Sequence, residues 1–259
     1  MTAVALTIAG SDPSGGAGLQ ADLKTFHQHE VYGTSVVTLL TVQNTTRVSR
    51  VEVLEPALVL EQLTAVTEDL PVGAAKTGAL GSAPVVRAIV AAAEAFAFPL
   101  VVDPVMISKH GAPLLDEDAQ AAMGLLLERA TLVTPNAPEA AALTGRPVTS
   151  LDEARAAAHA LAERGCSVLL KGGHLEGAAT DLLLHEGELH ELRAERIDTE
   201  HTHGTGCTYA AAIVARLAKD DDLVTAVMGA KEWLTRAIAG APGLGSGQGP
   251  VDHLAPLEG

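Results

Sequence analysis

A glycine-containing stretch near the end of the sequence has the composition of an anion-binding turn. Residues 202–208, Thr-His-Gly-Thr-Gly-Cys-Thr, precede a run of helix-forming residues at 209–217 that contains no proline. We therefore predict that Gly204 and Gly206 lie in the turn that enters a helix. The first turn of a helix offers unpaired N–H donors at the positive end of the helix dipole, which suits a phosphoryl group. Cys207, at the edge of this site, is expected to shift toward the thiolate. The alternative is that the two glycines form only a turn.

Other residues that could handle a phosphoryl group follow short apolar runs. They are Gly10-Ser11-Asp12, Gln43-Asn44, Lys76-Thr77-Gly78, Asp103, Asn136 with Glu139, and Lys171-Gly172-Gly173-His174. If the apolar runs are parallel strands of one sheet, these residues meet at the edge where open α/β sheets bind their ligands. The crevice would then combine a lysine, carboxylates and the glycine turn. Phosphoryl transfer depends on such groups because it needs positioning and charge stabilisation more than covalent chemistry.

Predicted strands alternate with predicted helices along most of the chain. The predicted strands span residues 4–9, 31–41, 48–54, 72–77, 100–102, 131–133, 167–171, 179–185 and 188–193. The predicted helices span residues 18–30, 56–69, 83–97, 116–129, 136–144, 150–164, 209–217 and 223–238. This alternation predicts an α/β fold with a central, mainly parallel β-sheet and helices on both faces. We expect a single domain over residues 1–259.

The composition narrows the class of protein. Of the 259 residues 47% are hydrophobic, so a large core can form, and only 2% are aromatic. Acidic residues outnumber basic ones 32 to 17, which argues against a nucleic-acid or anionic-membrane partner. Two cysteines are too few for a disulfide framework, and the sequence has no apolar run long enough for a membrane span. We expect a soluble, cytoplasmic protein.

Several ordered blocks of the sequence resemble one enzyme family. The blocks are Leu6-Thr7-Ile8-Ala9-Gly10-Ser11-Asp12-Pro13-Ser14-Gly15-Gly16-Ala17-Gly18, Gln20-Ala21-Asp22-Leu23-Lys24-Thr25, Gln43-Asn44-Thr45, Asp103-Pro104-Val105-Met106, Thr134-Pro135-Asn136-Ala137-Pro138-Glu139, Lys171-Gly172-Gly173-His174 and the turn at 202–208. Together they resemble the hydroxymethylpyrimidine and hydroxymethylpyrimidine-phosphate kinases of thiamine biosynthesis, in the ribokinase-like superfamily. The resemblance spans residues 3 to about 253. It implies a ribokinase-like fold, a homodimer, and Mg-ATP-dependent phosphorylation of 4-amino-5-hydroxymethyl-2-methylpyrimidine and then of its monophosphate.

The resemblance assigns roles in phosphoryl transfer. Gly204, Thr205 and Gly206 would supply backbone donors to the moving phosphoryl group, and Cys207 would be a modest base. Cys207 could instead be a small residue that packs the helix start. Lys171 would neutralise charge on ATP. The family match also implies that Asn136, Thr205 and Gly206 contact the nucleotide and that Glu139 and Asp103 place Mg²⁺. Asn136 and Glu139 could equally form a helix-capping pair.

The resemblance also defines a pyrimidine pocket. Gln43 offers an amide donor and acceptor to the ring, and the other implied lining residues are Gly10, Asp22, Val42, Ala79 and Val105. Ala79 stands where many family members have methionine, which leaves substrate breadth open. The rival interpretations are a pyridoxal kinase, since pyridoxal also carries a hydroxymethyl group on a nitrogen ring, and a non-catalytic pyrimidine-binding regulator.

Further expectations concern less central residues. His203 is expected to orient the anion-binding turn, and His27 and His29 are expected at the surface. The ten histidines show no metal-ligand spacing. A mobile flap is expected over residues 109–113 because they contain glycine and proline.

Overall fold

One β-sheet contains every strand of the described chain. The computed structural model describes residues 2–106, 117–174 and 179–258. Within these ranges the strands are β1 Val4–Ser11, β2 Tyr32–Gln43, β3 Val48–Val53, β4 Ala74–Thr77, β5 Leu100–Val102, β6 Leu132–Val133, β7 Ser167–Leu170, β8 Ala179–His185 and β9 Glu188–Ala194. Their order across the sheet is β3-β2-β1-β4-β5-β6-β7-β8-β9. The predicted flap at 109–113 lies outside the described residues.

The middle of the sheet is parallel and its edges are antiparallel. Strands β2, β1, β4, β5, β6 and β7 pair in parallel. β3 pairs antiparallel with β2, β8 with β7, and β9 with β8. Strands with both faces covered are apolar throughout, whereas an edge strand exposes one face. Accordingly, every residue of β1 except Ser11 is buried, while β3 has no buried residue.

Helices cover both faces of the sheet. Within the described ranges the α-helices are α1 Gly18–Gln28, α2 Pro56–Thr67, α3 Ala83–Ala93, α4 Glu117–Leu127, α5 Ala137–Thr144, α6 Leu151–Ala162, α7 Thr205–Leu217 and α8 Leu223–Ala239. Leu6 and Ile8 of β1 pack into a core cluster with α2 to α6, whereas Ala5 packs into a second cluster with α1, α7 and α8. This alternation is the two-residue period of a strand between two helical layers. The prediction of an α/β fold with a mainly parallel sheet and helices on both faces is confirmed.

The element bounds differ from the predictions mostly at helix ends. The helix predicted over 83–97 ends at Ala93, and the helix predicted over 56–69 ends at Thr67. A short 3₁₀ helix at Gly172–His174, which was not predicted, follows β7. Pattern reasoning places helix ends least well because the final turn contributes little to the apolar face.

Candidate active site

The charged residues predicted at neighbouring strand ends form one cluster. Asp103 follows β5, Glu139 lies in the first turn of α5 after β6, and Lys171 follows β7. The Lys171 Nζ atom lies 2.9 Å from Oδ1 of Asp103 and 3.9 Å from Oε2 of Glu139. A Cβ atom added to Gly206 would lie 3.4 Å from Lys171 Nζ and 3.8 Å from Asp103 Oδ2. The anion-binding turn therefore adjoins the cluster.

Two groups of this cluster, Lys171 and Glu139, have pKa values above their ordinary ones. Burial alone would lower the pKa of Lys171, but the carboxylates of Asp103 and Glu139 outweigh it and raise this pKa above its ordinary value. Burial raises the pKa of Glu139 to about 7, against the opposing effect of Lys171. Lys171 is therefore a permanent cation near neutral pH, and Glu139 is close to its titration midpoint.

Asn136 and Glu139 form the helix cap that was considered as an alternative to a ligand role. Asn136 Oδ1 accepts a hydrogen bond from the Glu139 amide at 2.9 Å, and Glu139 Oε2 accepts one from the Asn136 amide at 2.8 Å. This reciprocal pair is a capping box. The backbone before Asn136 also holds Lys171, whose amide donates to the Pro135 carbonyl at 2.8 Å. The cap therefore fixes Glu139 and Lys171 relative to each other.

The anion-binding turn begins at Gly204, the N-cap of α7. Gly204 has φ 76°, and a Cβ atom there would lie 1.8 Å from the carbonyl oxygen of Gly16. Glycine is thus required both for the backbone conformation and for the close approach of the two turns. Thr205 uses its amide and its hydroxyl in contacts to the Thr202 carbonyl, at 3.3 and 2.8 Å. By helix geometry the amides of Gly206 and Cys207 are the next donors of this first turn, and the predicted role of the Thr205 amide stays a prediction.

The surroundings of Cys207 favour the protonated thiol near neutral pH. This cysteine is the third residue of α7, and the backbone amide of Gly18 faces its sulfur. Burial raises the pKa of the thiol to about 11; Lys76 opposes this, while Asp22 and Asp103 add to it. The expectation of a thiol shifted toward the thiolate is therefore wrong for the free protein, because burial exceeds the effect of the helix start.

A fully buried ion pair lies beneath this region. Lys76 Nζ of β4 donates to Oδ1 of Asp22 at 2.7 Å, and the Thr7 hydroxyl donates to Oδ2 at 2.6 Å. The side chains of Lys76 and Asp22 have no exposed surface. Asp22 therefore has no exposed surface in the free protein, because its position on α1 faces the core, and its role in a pyrimidine pocket stays a prediction. The sequence pattern contained this signal, since Leu19 and Phe26 lie on the same helical face as Asp22.

His203, just before α7, forms polar contacts with residues near the N-terminal end of the chain. His203 Nε2 lies 2.8 Å from Oδ2 of Asp12, and Gln43 Nε2 lies 3.2 Å from the same nitrogen. Asp12 also accepts hydrogen bonds from the amides of Ser14 and Ala17, both at 2.9 Å. His203 thus lies between the turn after β1 and Gln43 at the end of β2. Sequence reasoning did not assign a role to Asp12.

The remaining predicted pocket residues are distributed around Gln43. A Cβ atom on Gly10 would lie 2.5 Å from Leu39 Cδ1, so a larger residue there would have to displace the Leu39 side chain. Val42 precedes Gln43 in β2 and is 56% exposed, and the register of β2 with β3 shifts between these two residues. Ala79 and Val105 are half-buried beyond β4 and β5. Their roles in a pyrimidine pocket stay predictions.

The predictions that His27 and His29 lie at the surface have different outcomes. His27 is exposed as expected, but His29 is buried, with its ring 4.6 Å from that of Trp233. Among the described residues, no group of three or more His, Cys, Asp or Glu side chains has the arrangement of a metal site. In the same part of the chain, no helix is both long and apolar enough to cross a membrane.

Comparison with known proteins identifies a family model and relatives that match nearly the whole chain. A family model described as phosphomethylpyrimidine kinase matches residues 12–252. A hydroxymethylpyrimidine/phosphomethylpyrimidine kinase from Rhizobium meliloti is 49% identical over 261 residues, covering 98% of both chains. The protein of that name from Bacillus subtilis is 43% identical over 256 residues, covering 97% of this chain and 94% of the relative.

A solved structure also matches nearly the whole chain. An ADP complex of Bacillus subtilis pyridoxal kinase superposes with a TM-score of 0.91 at 36% identity, covering 98% of both chains. The family model and the full-length relatives support one conclusion. The chain belongs to the phosphomethylpyrimidine kinase family.

Proposed function

We propose that this protein phosphorylates 4-amino-5-hydroxymethyl-2-methylpyrimidine with Mg-ATP, and then phosphorylates the monophosphate to the diphosphate. The observation that carries the proposal is the cluster of Lys171, Asp103 and Glu139 beside the first turn of α7. Its full-length relatives are named as kinases for both steps. The proposed cellular location is the cytoplasm, and the proposed assembly is a homodimer.

The cluster suits a magnesium nucleotide. Asp103 and Glu139 offer carboxylate oxygens, and a site with two carboxylates fits Mg²⁺ that completes its shell with water and phosphate oxygens. When bound, Mg²⁺ would neutralise charge on the phosphates. Lys171, now 2.9 Å from Asp103, could turn its ammonium toward the same phosphates. Asn136 would act mainly through the cap that holds Glu139.

The residues of α7 would stabilise the transferred group. The amides of Gly206 and Cys207 in the first turn of α7 would bind the developing charge of a phosphoryl group held there. Cys207 sits where it could take the hydroxymethyl proton in the first phosphorylation once its thiol, which burial keeps protonated in the free protein, has released its own proton to solvent. The second phosphorylation uses an ionised phosphate as acceptor and needs no base. A modest base is enough when the transition state is loose.

Gln43 is suited to read the ring nitrogen. The Asp12 carboxylate only accepts hydrogen bonds, so His203 Nε2 must carry the proton between them. The structure places Gln43 Nε2 at 3.2 Å from this nitrogen, where two donors would face each other, so we assign the Gln43 amide with its carbonyl oxygen toward His203. This orientation turns the amide N–H donors of Gln43 away from His203. They would donate to an unprotonated ring nitrogen of the pyrimidine.

Pyridoxal phosphorylation is the second candidate, favoured by the likeness to a solved pyridoxal kinase. The test is a mass-spectrometric time course with Mg-ATP and either hydroxymethylpyrimidine or pyridoxal. Monophosphate followed by diphosphate from the pyrimidine alone is the expected result. Phosphate on pyridoxal alone would favour the second candidate. Absence of product from both, with retained pyrimidine binding, would indicate a regulator. Light scattering of the same sample tests the homodimer.

A further inference from the structure

A buried carboxylate outside the proposed site holds the turn that carries Lys171. Asp181 of β8 is 3% exposed. Its Oδ1 atom accepts a hydrogen bond from the amide of Gly172, the residue after Lys171, at 2.8 Å. Its Oδ2 atom accepts one from Lys231 Nζ of α8 at 2.6 Å. Both oxygens of the carboxylate are therefore engaged, and its orientation is fixed.

This contact replaces a backbone pairing at the end of the sheet. The antiparallel ladder between β7 and β8 reaches Leu170, which pairs with Leu182. At Gly172 the amide donates to the side chain of Asp181 instead of to a backbone carbonyl. A Cβ atom on Gly172 would lie 1.8 Å from the Thr180 carbonyl oxygen, so the turn lies directly against β8. Asp181 thus marks the point where the chain leaves the sheet.

The charge of the same carboxylate acts on a residue of the helix that carries the anion-binding turn. Tyr209, two residues after Cys207, is buried in α7. Burial, followed by the charge on Asp181, holds the pKa of its hydroxyl well above the ordinary value. Asp181 therefore stands at the junction of the Lys171 turn with α7 and α8.

We propose that Asp181 is a positioning residue for nucleotide binding, acting through the Gly172 amide to hold Lys171 against the phosphate site. The proposal rests on the proposed function of Lys171 as the residue that binds the ATP phosphates. The turn is held from its other side by the hydrogen bond between the Lys171 amide and the Pro135 carbonyl, at 2.8 Å. Loss of the Asp181 contact would leave the lysine backbone anchored on one side only.

The test compares two variants that differ only in the acceptor for Gly172. In the Lys231→Met background, which removes the buried counter-charge, Asp181→Asn keeps an oxygen for the amide and Asp181→Leu removes it. Lys231→Met alone is the stability control. Binding of ADP is measured by calorimetry, and KM for ATP and for hydroxymethylpyrimidine is measured separately. Thermal melting checks folding; if the Leu variant does not fold, Asp181→Ser, too short to reach Gly172, replaces it.

We expect loss of the Gly172 contact to weaken nucleotide binding and to leave pyrimidine binding unchanged. Leaving the Gly172 amide unpaired should weaken ADP binding and raise KM for ATP by about tenfold relative to the Asn variant. KM for hydroxymethylpyrimidine should stay the same in the two variants. Equal ADP affinity in the Asn and Leu variants, or an equal rise in both KM values, would overturn the proposal. ADP calorimetry does not depend on turnover, so this result stays distinct from a wild-type protein that lacks pyrimidine kinase activity.

Discussion

Breaking the buried ion pair beneath Cys207 should destabilise the protein far more than removing a surface lysine. Lys76→Met leaves the Asp22 carboxylate fully buried without its partner at 2.7 Å. At an effective dielectric constant of about 20, opposite charges at this separation attract by about 6 kcal/mol. Part of that attraction is offset by the desolvation of Lys76, so we expect a loss of about 3–5 kcal/mol in the free energy of unfolding.

The loss should also depend on pH in a defined direction. Burial raises the pKa of Asp22 even though Lys76 opposes it, and removal of Lys76 raises it further. The folded variant then binds a proton that the unfolded chain releases above a pKa of about 3.9. Its stability should therefore fall as pH rises, by about 1.4 kcal/mol per pH unit, until pH passes the raised pKa of the folded state.

Urea denaturation at two pH values measures both effects. Lys219→Met is the matched control, because Lys219 is 41% exposed and lies 3.7 Å from Glu30, and it should cost less than about 1 kcal/mol. The double variant Lys76→Met/Asp22→Leu should recover much of the loss, since no charge remains buried. The reasoning is refuted if Lys76→Met lowers the free energy of unfolding no more than the control does. It is also refuted if the double variant loses as much stability as the single variants Lys76→Met and Asp22→Leu lose together.

Three further outcomes are expected. Cys207→Ala should slow the first phosphorylation by roughly 10²-fold and the second far less, since only the first has a hydroxyl proton to remove; equal slowing of both steps in single-turnover assays would contradict a base role. Gly204→Ala should lower kcat/KM by about 10²-fold, because the added methyl collides with the Gly16 carbonyl and displaces the donors of α7. Gly187→Ala is its control, with a similar positive φ of 82° and open space around it, and it should leave kcat/KM unchanged. Finally, burial lowers the pKa of His29 to about 4, so its neutral form stabilises the fold above the unfolded pKa of about 6.5 and this stability is lost as pH falls toward 4. Urea melts should show wild type losing about 2 kcal/mol more than His29→Leu between pH 7 and pH 5.

The grouping of charged residues at the strand ends could be predicted from sequence because the sheet topology constrains it. Asp103, Glu139 and Lys171 each follow a parallel strand, and adjacent parallel strands end at the same edge. The distances among them still required the structure. They depend on the capping box at Asn136 and on the turn at Gly172.

Partners far apart in the chain could not be predicted. Lys76 and Asp181 are single charges within apolar strands, and the sequence alone does not show whether such a charge reaches solvent or a buried partner. Their partners lie 54 and 50 residues away along the chain. The same holds for His29, whose ring packs on Trp233. The pKa of the Cys207 thiol could not be predicted either. Burial raises this pKa, whereas the helix start lowers it, and the extent of burial is set by elements distant in the sequence.

The contact between the turn after β1 and the start of α7 also determines when the site can exist during synthesis. Asp12 and His203, which are hydrogen-bonded, lie 191 positions apart, and the His203 amide is in turn bonded to the Gly249 carbonyl at 3.0 Å. Contacts of such long sequence separation form late in folding. A ribosome-bound chain that already contains Lys171, Asp103 and Glu139 therefore still lacks the phosphate-binding turn. We therefore expect ligand binding only after the segment up to Gly249 has left the ribosomal tunnel.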